Sequence, residues 1–226
     1  MSHIQIAIDG PSGAGKSSLS RAVAKAMGIV YVDTGAMYRT VGYFARSRGI
    51  GLDEIQKLIP LLCEVNIEVK YENDVQCVYL NGENLGDRIR ENEISMYASK
   101  VSALPEVRAF LLETQKELAR KTSVIMDGRD IGTVILPDAD VKIFLTASNE
   151  IRARRRVAEL EEKGMPASYE EVLADMIRRD EQDRSRDIAP AIAAPDAIHF
   201  DNSYDGFDEA LRELMAVIRN ALAHKE

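Results

Sequence analysis

Residues 6–22 read IAIDGPSGAGKSSLSRA. An apolar run gives way to spaced glycines, then to a lysine and two serines. Gly10, Pro11, Ser12, Gly13, Ala14, Gly15, Lys16 and Ser17 fit the pattern G-x-x-x-x-G-K-[ST]. Glycines let the backbone curl tightly so that its N–H groups point inward, and a helix starting at the lysine adds its positive end. A lysine at this place reaches the β- and γ-phosphates of a nucleotide, and the Ser17 hydroxyl can ligate Mg2+. Ser18 shares the same first turn and completes the phosphate-binding set. The pattern lies between a predicted strand, HIQIAI at 3–8, and a predicted helix from Lys16 to Met27 with Gly28 as its stop.

Working outward, IVYV at 29–32 reads as a second short strand ending at Asp33, and Gly35 to Ser47 as a helix closed by Gly49. This alternation points to a parallel sheet covered by helices. The middle of the chain differs. VNIEVKY at 65–71 and VQCVYLNGENL at 75–85 alternate apolar and polar residues around END, which predicts a hairpin solvated on one face. It belongs to an insert from about Leu52 to about Ala98. Ser99 to Lys121 reads as one helix with Pro105 at an early turn. SVIMDGRDIGTVILP at 123–137 and VKIFLTAS at 141–148 return to the buried-strand idiom. A highly charged helical stretch follows, broken at KGMPAS, where Ser168 and Glu171 resemble a capping box. AIHFDNS is a last strand, and an amphipathic helix runs from Phe207 to Leu222. The expected fold is one α/β domain over 1–226: a P-loop NTPase-type parallel sheet flanked by helices, with an inserted antiparallel β-hairpin subdomain and a short helical lid.

The 226 residues suffice for one sizeable core, and 46% hydrophobic with 29% charged residues is ordinary for a soluble protein. No apolar run approaches a membrane span and no secretory signal is visible, so we expect a cytoplasmic protein without a membrane partner. The two cysteines, Cys63 and Cys77, make no metal spacing and read as reduced thiols. His3, His199 and His224 are scattered and receive no role. A net charge of -8 argues against a nucleic acid polymer as partner. Yet Arg152, Arg154, Arg155 and Arg156 cluster, as do Arg178, Arg179, Arg184 and Arg186. That suits a small polyanion, although a solvated helix face laced with acidic residues would look the same. The absence of NKxD weighs against a GTPase switch, and no LSGGQ-type signature is present.

At DTGAMYR, 33–39, and DGRDIGT, 127–133, the sequence resembles bacterial cytidylate kinases. The likeness continues through PDADVKIFLTAS, RARRRVAELEEKG and RRDEQDRSRD, and covers nearly the whole chain. It implies transfer of the γ-phosphoryl group of ATP to CMP or dCMP with Mg2+. An acceptor phosphate is mostly dianionic at neutral pH and needs no general base, so catalysis is positioning plus electrostatic stabilisation. The resemblance assigns Lys16, Arg129 and Arg179 to the transfer itself. It places Asp130, Ser99, Arg108 and Arg186 at the base, Asp183 and Arg179 at the ribose, and Arg39 and Arg129 at the acceptor phosphate. A carboxylate facing the 4-position accepts from the cytosine amino group and repels uracil. Thr34 stands where many relatives have serine and keeps the hydroxyl. Asp127 is placed for a water-mediated contact to the ion that Ser17 ligates. Which of Arg154, Arg155 and Arg156 faces the phosphates stays open, because a helix turns neighbours by about 100°. Excluding water calls for closure of the insert and of a lid at about 154–166, turned at Gly164 and Pro166. We expect a monomer. A kinase for another small acceptor, such as UMP, and a non-catalytic nucleotide-binding module remain alternatives.

Overall fold

The computed structural model describes residues 3–72, 75–162, 164–203 and 206–224. It divides into two compact units, Met1–Tyr31 with Thr122–Glu226, and Val32–Lys121. In chain order the first elements are β1 (Gln5–Asp9), α1 (Lys16–Met27), β2 (Val30–Asp33) and α2 (Thr34–Ser47). A 3-10 stretch, Leu52–Glu64, leads to β3 (Ile67–Glu72), β4 (Val75–Leu80), β5 (Glu83–Asn84), α3 (Asn92–Val101) and α4 (Pro105–Lys121). Then follow β6 (Val124–Gly128), β7 (Val141–Thr146), α5 (Asn149–Glu162), α6 (Tyr169–Arg184), β8 (Ile198–Asp201) and α7 (Phe207–Ala223).

Five strands form one parallel sheet in the order β2-β6-β1-β7-β8. Ile6 of β1 stands between Ile125 and Val141 in register. Ile6, Ala7 and Ile8 are all fully buried, as expected of a strand covered on both faces. In the first unit Leu19 and Val23 of α1, with Leu214 and Ile218 of α7, pack with Ile8, Ile143, Leu145 and Phe200. Each such buried Leu or Ile contributes about 1.5–3 kcal/mol, so this face anchors the loop that follows β1. Gly28 ends α1 in the left-handed region at φ 66, and its N–H donates to the Ala24 carbonyl.

The second unit has its own core. Met37, Val41 and Phe44 of α2 and Ile94 and Val101 of α3 are buried. A Cβ on Gly42 would stand 2.9 Å from the Tyr97 Cβ and 3.0 Å from the Ala98 nitrogen, so glycine permits the close approach of α2 to α3. The expected hairpin is present: β3 and β4 pair antiparallel from Ile67↔Leu80 to Glu72↔Val75, and β5 adds a third strand. Asn73 and Asp74 of its END turn lie outside the described residues.

Two local expectations give way. The helix read from Ser99 to Lys121 is two helices, because the chain turns at 102–104 and Pro105 opens α4 instead of sitting within a turn. Proline has no N–H to offer the previous turn and its fixed φ suits a first helical position. The stretch 123–137 is strand only to Gly128; Ile131–Ile135 forms a π-helical turn. Its apolar residues Ile131, Ile135 and Leu136 are buried all the same, so the apolar run signalled burial and not extension. Ser168 caps α6 by accepting the Glu171 N–H at 3.4 Å, the N-cap half of the expected box.

Candidate active site

The loop after β1 is built from conformations that only glycine takes easily. Gly10, Gly13 and Gly15 have φ of 144, 73 and 96. A Cβ on Gly10 would stand 2.0 Å from the Leu145 carbonyl oxygen of β7, and one on Gly15 would stand 2.6 Å from the Asn202 Nδ2. Gly15 precedes α1 without a side-chain cap hydrogen bond, so no capping side chain takes up the first-turn amides. A helix start of this kind, with its partial positive charge, is an anion site. Asn202, from the end of β8, donates through Nδ2 to the Ala14 carbonyl at 2.8 Å and pins the far side of the loop.

Lys16 is buried and donates to the Pro11 carbonyl at 2.7 Å. Burial, and then the charge of Arg129, push its pKa down from 10.5 to about 7; Asp127, Asp9 and Asp180 pull it back in part. Two cations thus repel each other here in the free protein. The Ser17 hydroxyl donates to Asp127 Oδ2 at 2.7 Å and the Tyr31 hydroxyl to Asp127 Oδ1 at 3.0 Å. Asp9, the last residue of β1, accepts the N–H groups of Ile131 at 2.8 Å and Gly132 at 2.7 Å. It fixes the turn that starts at buried Asp130. Burial raises the Asp9 pKa to about 6.

The arginine clusters sort by geometry. Arg178 pairs with Asp175 of its own helix at 2.7 Å and Arg184 with Glu181 at 3.9 Å, both well exposed. For Arg178 the solvated-face reading holds, whereas Arg184, though exposed, also lines the cavity described below. Arg152 is buried and structural: it donates to the Ser12 carbonyl at 2.8 Å and pairs with Asp180 at 2.6 Å, tying α5 to the loop and to α6. Arg154 is exposed and Arg156 pairs with Glu159 at 2.9 Å. Arg155 is the member beside the loop. Its Nη2 donates to the Asn202 carbonyl at 2.8 Å, and its buried Nη1 has no hydrogen-bond partner among the described residues. Burial lowers its pKa from the usual arginine value. Arg129 Nε bonds to Asp183 Oδ2 at 3.1 Å, and Arg186 Nε donates to the Asp183 carbonyl at 3.2 Å. Asp183 therefore organises both arginines. Arg179 is half-buried on α6. Pro11, Arg129, Arg152, Asp180 and Asp183 help line a cavity of ≈ 250 Å³.

In the second unit Asp33 caps α2 by accepting the Ala36 N–H at 2.9 Å and pairs with Arg39 at 2.7 Å. Burial opposes its charge, but Arg39 and the Ala36 amide outweigh it and hold the Asp33 carboxyl below its ordinary pKa. Thr34 is buried in the first turn of the same helix. Arg108 of α4 donates to the Ser102 carbonyl at 3.2 Å, and its guanidinium lies 5.7 Å from the centre of the Tyr38 ring. Ser99, half-buried on α3, accepts the Ser102 hydroxyl at its carbonyl at 2.8 Å.

Sequence reading missed Asp9, Asn202 and the structural role of Arg152. Each acts on backbone far away in the chain, and no local motif marks such a contact. No group of three or more metal-ligating side chains and no helix long and apolar enough to cross a membrane occurs among the described residues.

Residues 6–220 match the protein family described as Cytidylate kinase. A cytidylate kinase of Fervidobacterium nodosum is 46% identical over 217 residues, 96% of this chain and 97% of the relative. One of Caldicellulosiruptor saccharolyticus is 43% identical across 100% of both chains. Among solved structures, an uncharacterized protein from Eubacterium ventriosum superposes with a TM-score of 0.50 at 12% identity, covering 98% of this chain and 99% of that one, a likeness of fold alone.

Proposed function

Since this chain belongs to the cytidylate kinase family and is a nucleotide kinase, we propose that it transfers the γ-phosphoryl group of Mg-ATP to CMP or dCMP, giving ADP and CDP or dCDP. The observation that carries the reading is the loop of positive-φ glycines leading into an uncapped helix start at which Lys16 is buried, with the charge of Arg129 acting against it. A polyphosphate relieves that repulsion and restores the full charge of Lys16. The loop 10–15, Lys16, Ser17 and Ser18 hold the donor phosphates. Lys16, Arg129 and Arg179 stabilise the charge that spreads over the transferring group.

The Ser17 hydroxyl and an Asp127 carboxylate oxygen stand 2.7 Å apart, a hard-oxygen pair that fits Mg2+, which takes few protein ligands and keeps phosphates and waters. When bound, the ion neutralises charge on the donor phosphates. Ser17 would hold it directly and Asp127 through water.

The acceptor phosphate dianion attacks without a general base, so the chain's task is to orient it and exclude water. Arg39 and Arg129 take the acceptor phosphate, Asp183 and Arg179 the ribose. Asp130, Ser99, Arg108 and Arg186 read the base, with Thr34 shaping the pocket. Asp130 accepts from the 4-amino group of cytosine and opposes the carbonyl of uracil, and a buried polar site of this kind discriminates strongly. Residues 52–98 form the insert of the acceptor-binding part and 154–166 a lid within one kinase domain, 1–226. The enzyme works as a monomer in the cytoplasm.

The test is ADP release with Mg-ATP against CMP, dCMP, UMP, AMP and no acceptor, repeated with Asp130→Asn. CMP and dCMP should turn over far faster than the others, and the substitution should erode the preference over UMP. Release unaffected by every acceptor would refute the proposal.

A further inference from the structure

We propose that Gln76, on the inserted hairpin, is a positioning residue for the acceptor phosphate, acting through Asp33 upon Arg39. The proposal rests on the reading of Arg39 as a phosphate-binding residue.

Strand alternation puts Gln76 on the face of β4 that carries buried Val78 and Leu80. Its carboxamide spans the backbone of one residue. The Asp33 N–H donates to Oε1 at 2.6 Å, and Nε2 donates to the Asp33 carbonyl at 3.1 Å. The two bonds fix which end of the amide is which, since the N–H needs an acceptor and the carbonyl a donor. Asp33 ends β2, an outer strand of the five-stranded sheet, and outer strands carry backbone groups that lack a neighbour. Gln76 supplies with one side chain what a neighbouring strand would supply.

The peptide that it holds is the one from which the Asp33 carboxylate projects. Oδ1 of that carboxylate caps α2 and Oδ2 holds Arg39 Nη2 at 2.7 Å. A continuous set of contacts therefore runs from the hairpin amide to the Asp33 backbone, to its carboxylate and to the guanidinium. Arg39 Nε is buried and has no hydrogen-bond partner among the described residues, so Asp33 does not use up the donors of the fixed guanidinium. An arginine already held in place loses less freedom when an anion arrives. Removing the two Gln76 bonds frees the Asp33 backbone, and Arg39 with it, while the contacts of Lys16, Ser17 and Arg129 do not involve Gln76.

The experiment measures KM for CMP, KM for ATP and the melting temperature of the wild type, Gln76→Ala, Arg39→Ala and the double variant. Gln76→Ala should raise KM for CMP about five- to tenfold, the effect of one or two hydrogen bonds, with KM for ATP unchanged. In the Arg39→Ala background the same substitution should have no further effect on KM for CMP. An unchanged KM for CMP, a parallel rise in both KM values, or a full effect in the absence of Arg39 would each overturn the proposal. Arg39→Ala with a normal KM for CMP would overturn the phosphate-binding reading of Arg39 itself, and this proposal with it. An effect of Arg39→Ala without one of Gln76→Ala overturns this proposal alone.

Discussion

Replacing Asp9 by asparagine isolates what one buried charge does to this fold. The Asp9 carboxylate is 3% exposed and its pKa is raised from 3.8 to about 6, chiefly by burial and against the two amides that bond to it. The rise, 6 less 3.8, is about 2 pH units; at about 1.36 kcal/mol per unit it comes to about 3 kcal/mol. Between those two pKa values the folded chain holds a proton that the unfolded chain has released. Stability from this group is therefore fully present below the unfolded value and is lost as pH rises through the folded one. Asparagine carries no such proton. It keeps one acceptor for the Ile131 and Gly132 amides and turns a donor toward the other, so its effect at a single pH mixes two opposed contributions. The pH dependence separates them. Urea unfolding of both proteins from about pH 4 to about pH 6.5 covers most of that change and should show the stability of the wild type relative to Asp9→Asn fall by about 2 kcal/mol. Lys16, with its pKa of about 7, stays mostly protonated to the end of this window. A difference that stays constant across the window would refute the buried-charge account.

Lys16→Met should lower kcat about 100- to 1000-fold, as expected for loss of a cation that acts on the transition state, with the melting temperature held; a large drop in melting temperature would make Lys16 structural instead. Arg155→Ala should raise KM for ATP about tenfold or more, since its Nη1 is unpartnered beside the loop, whereas Arg154→Ala should leave it unchanged. Equal effects of the two would contradict the geometry. Gly10→Ala should cost several kcal/mol and abolish ATP binding, because its Cβ would fall 2.0 Å from a strand carbonyl; a normal melting curve would show that the strand yields.

What the sequence made legible was whatever depends on neighbours in the chain. The spaced glycines and the lysine identified the loop, and the alternation over 67–80 identified the hairpin, because φ freedom and strand period are local properties. The break before Pro105 could have been taken from proline chemistry alone, but the apolar pattern on both sides ran on and hid it. Asp9 looked like a strand end. Its partners are 122 and 123 residues away, so only the pairing of β1 with β6 brings them to it. Asn202 is 188 residues from the carbonyl it holds. The arginine clusters had no composition that could sort them. Helix rotation sent Arg152 inward, Arg155 to the loop and Arg154 to solvent, and a shared carboxylate, Asp183, gathered Arg129 and Arg186. Gln76 was unremarked for the same reason: a side-chain amide bonded to distant backbone leaves no pattern.

The central claim is that a phosphoryl group moves from a nucleotide on the loop 10–15 to the phosphate of a cytidine nucleotide. It is tested most directly by following a labelled γ-phosphate in a single turnover of ATP with Mg2+ and CMP. The account predicts that the label appears in CDP, in step with ADP formation and with none in inorganic phosphate. Label recovered as inorganic phosphate, with CMP unchanged, would contradict it.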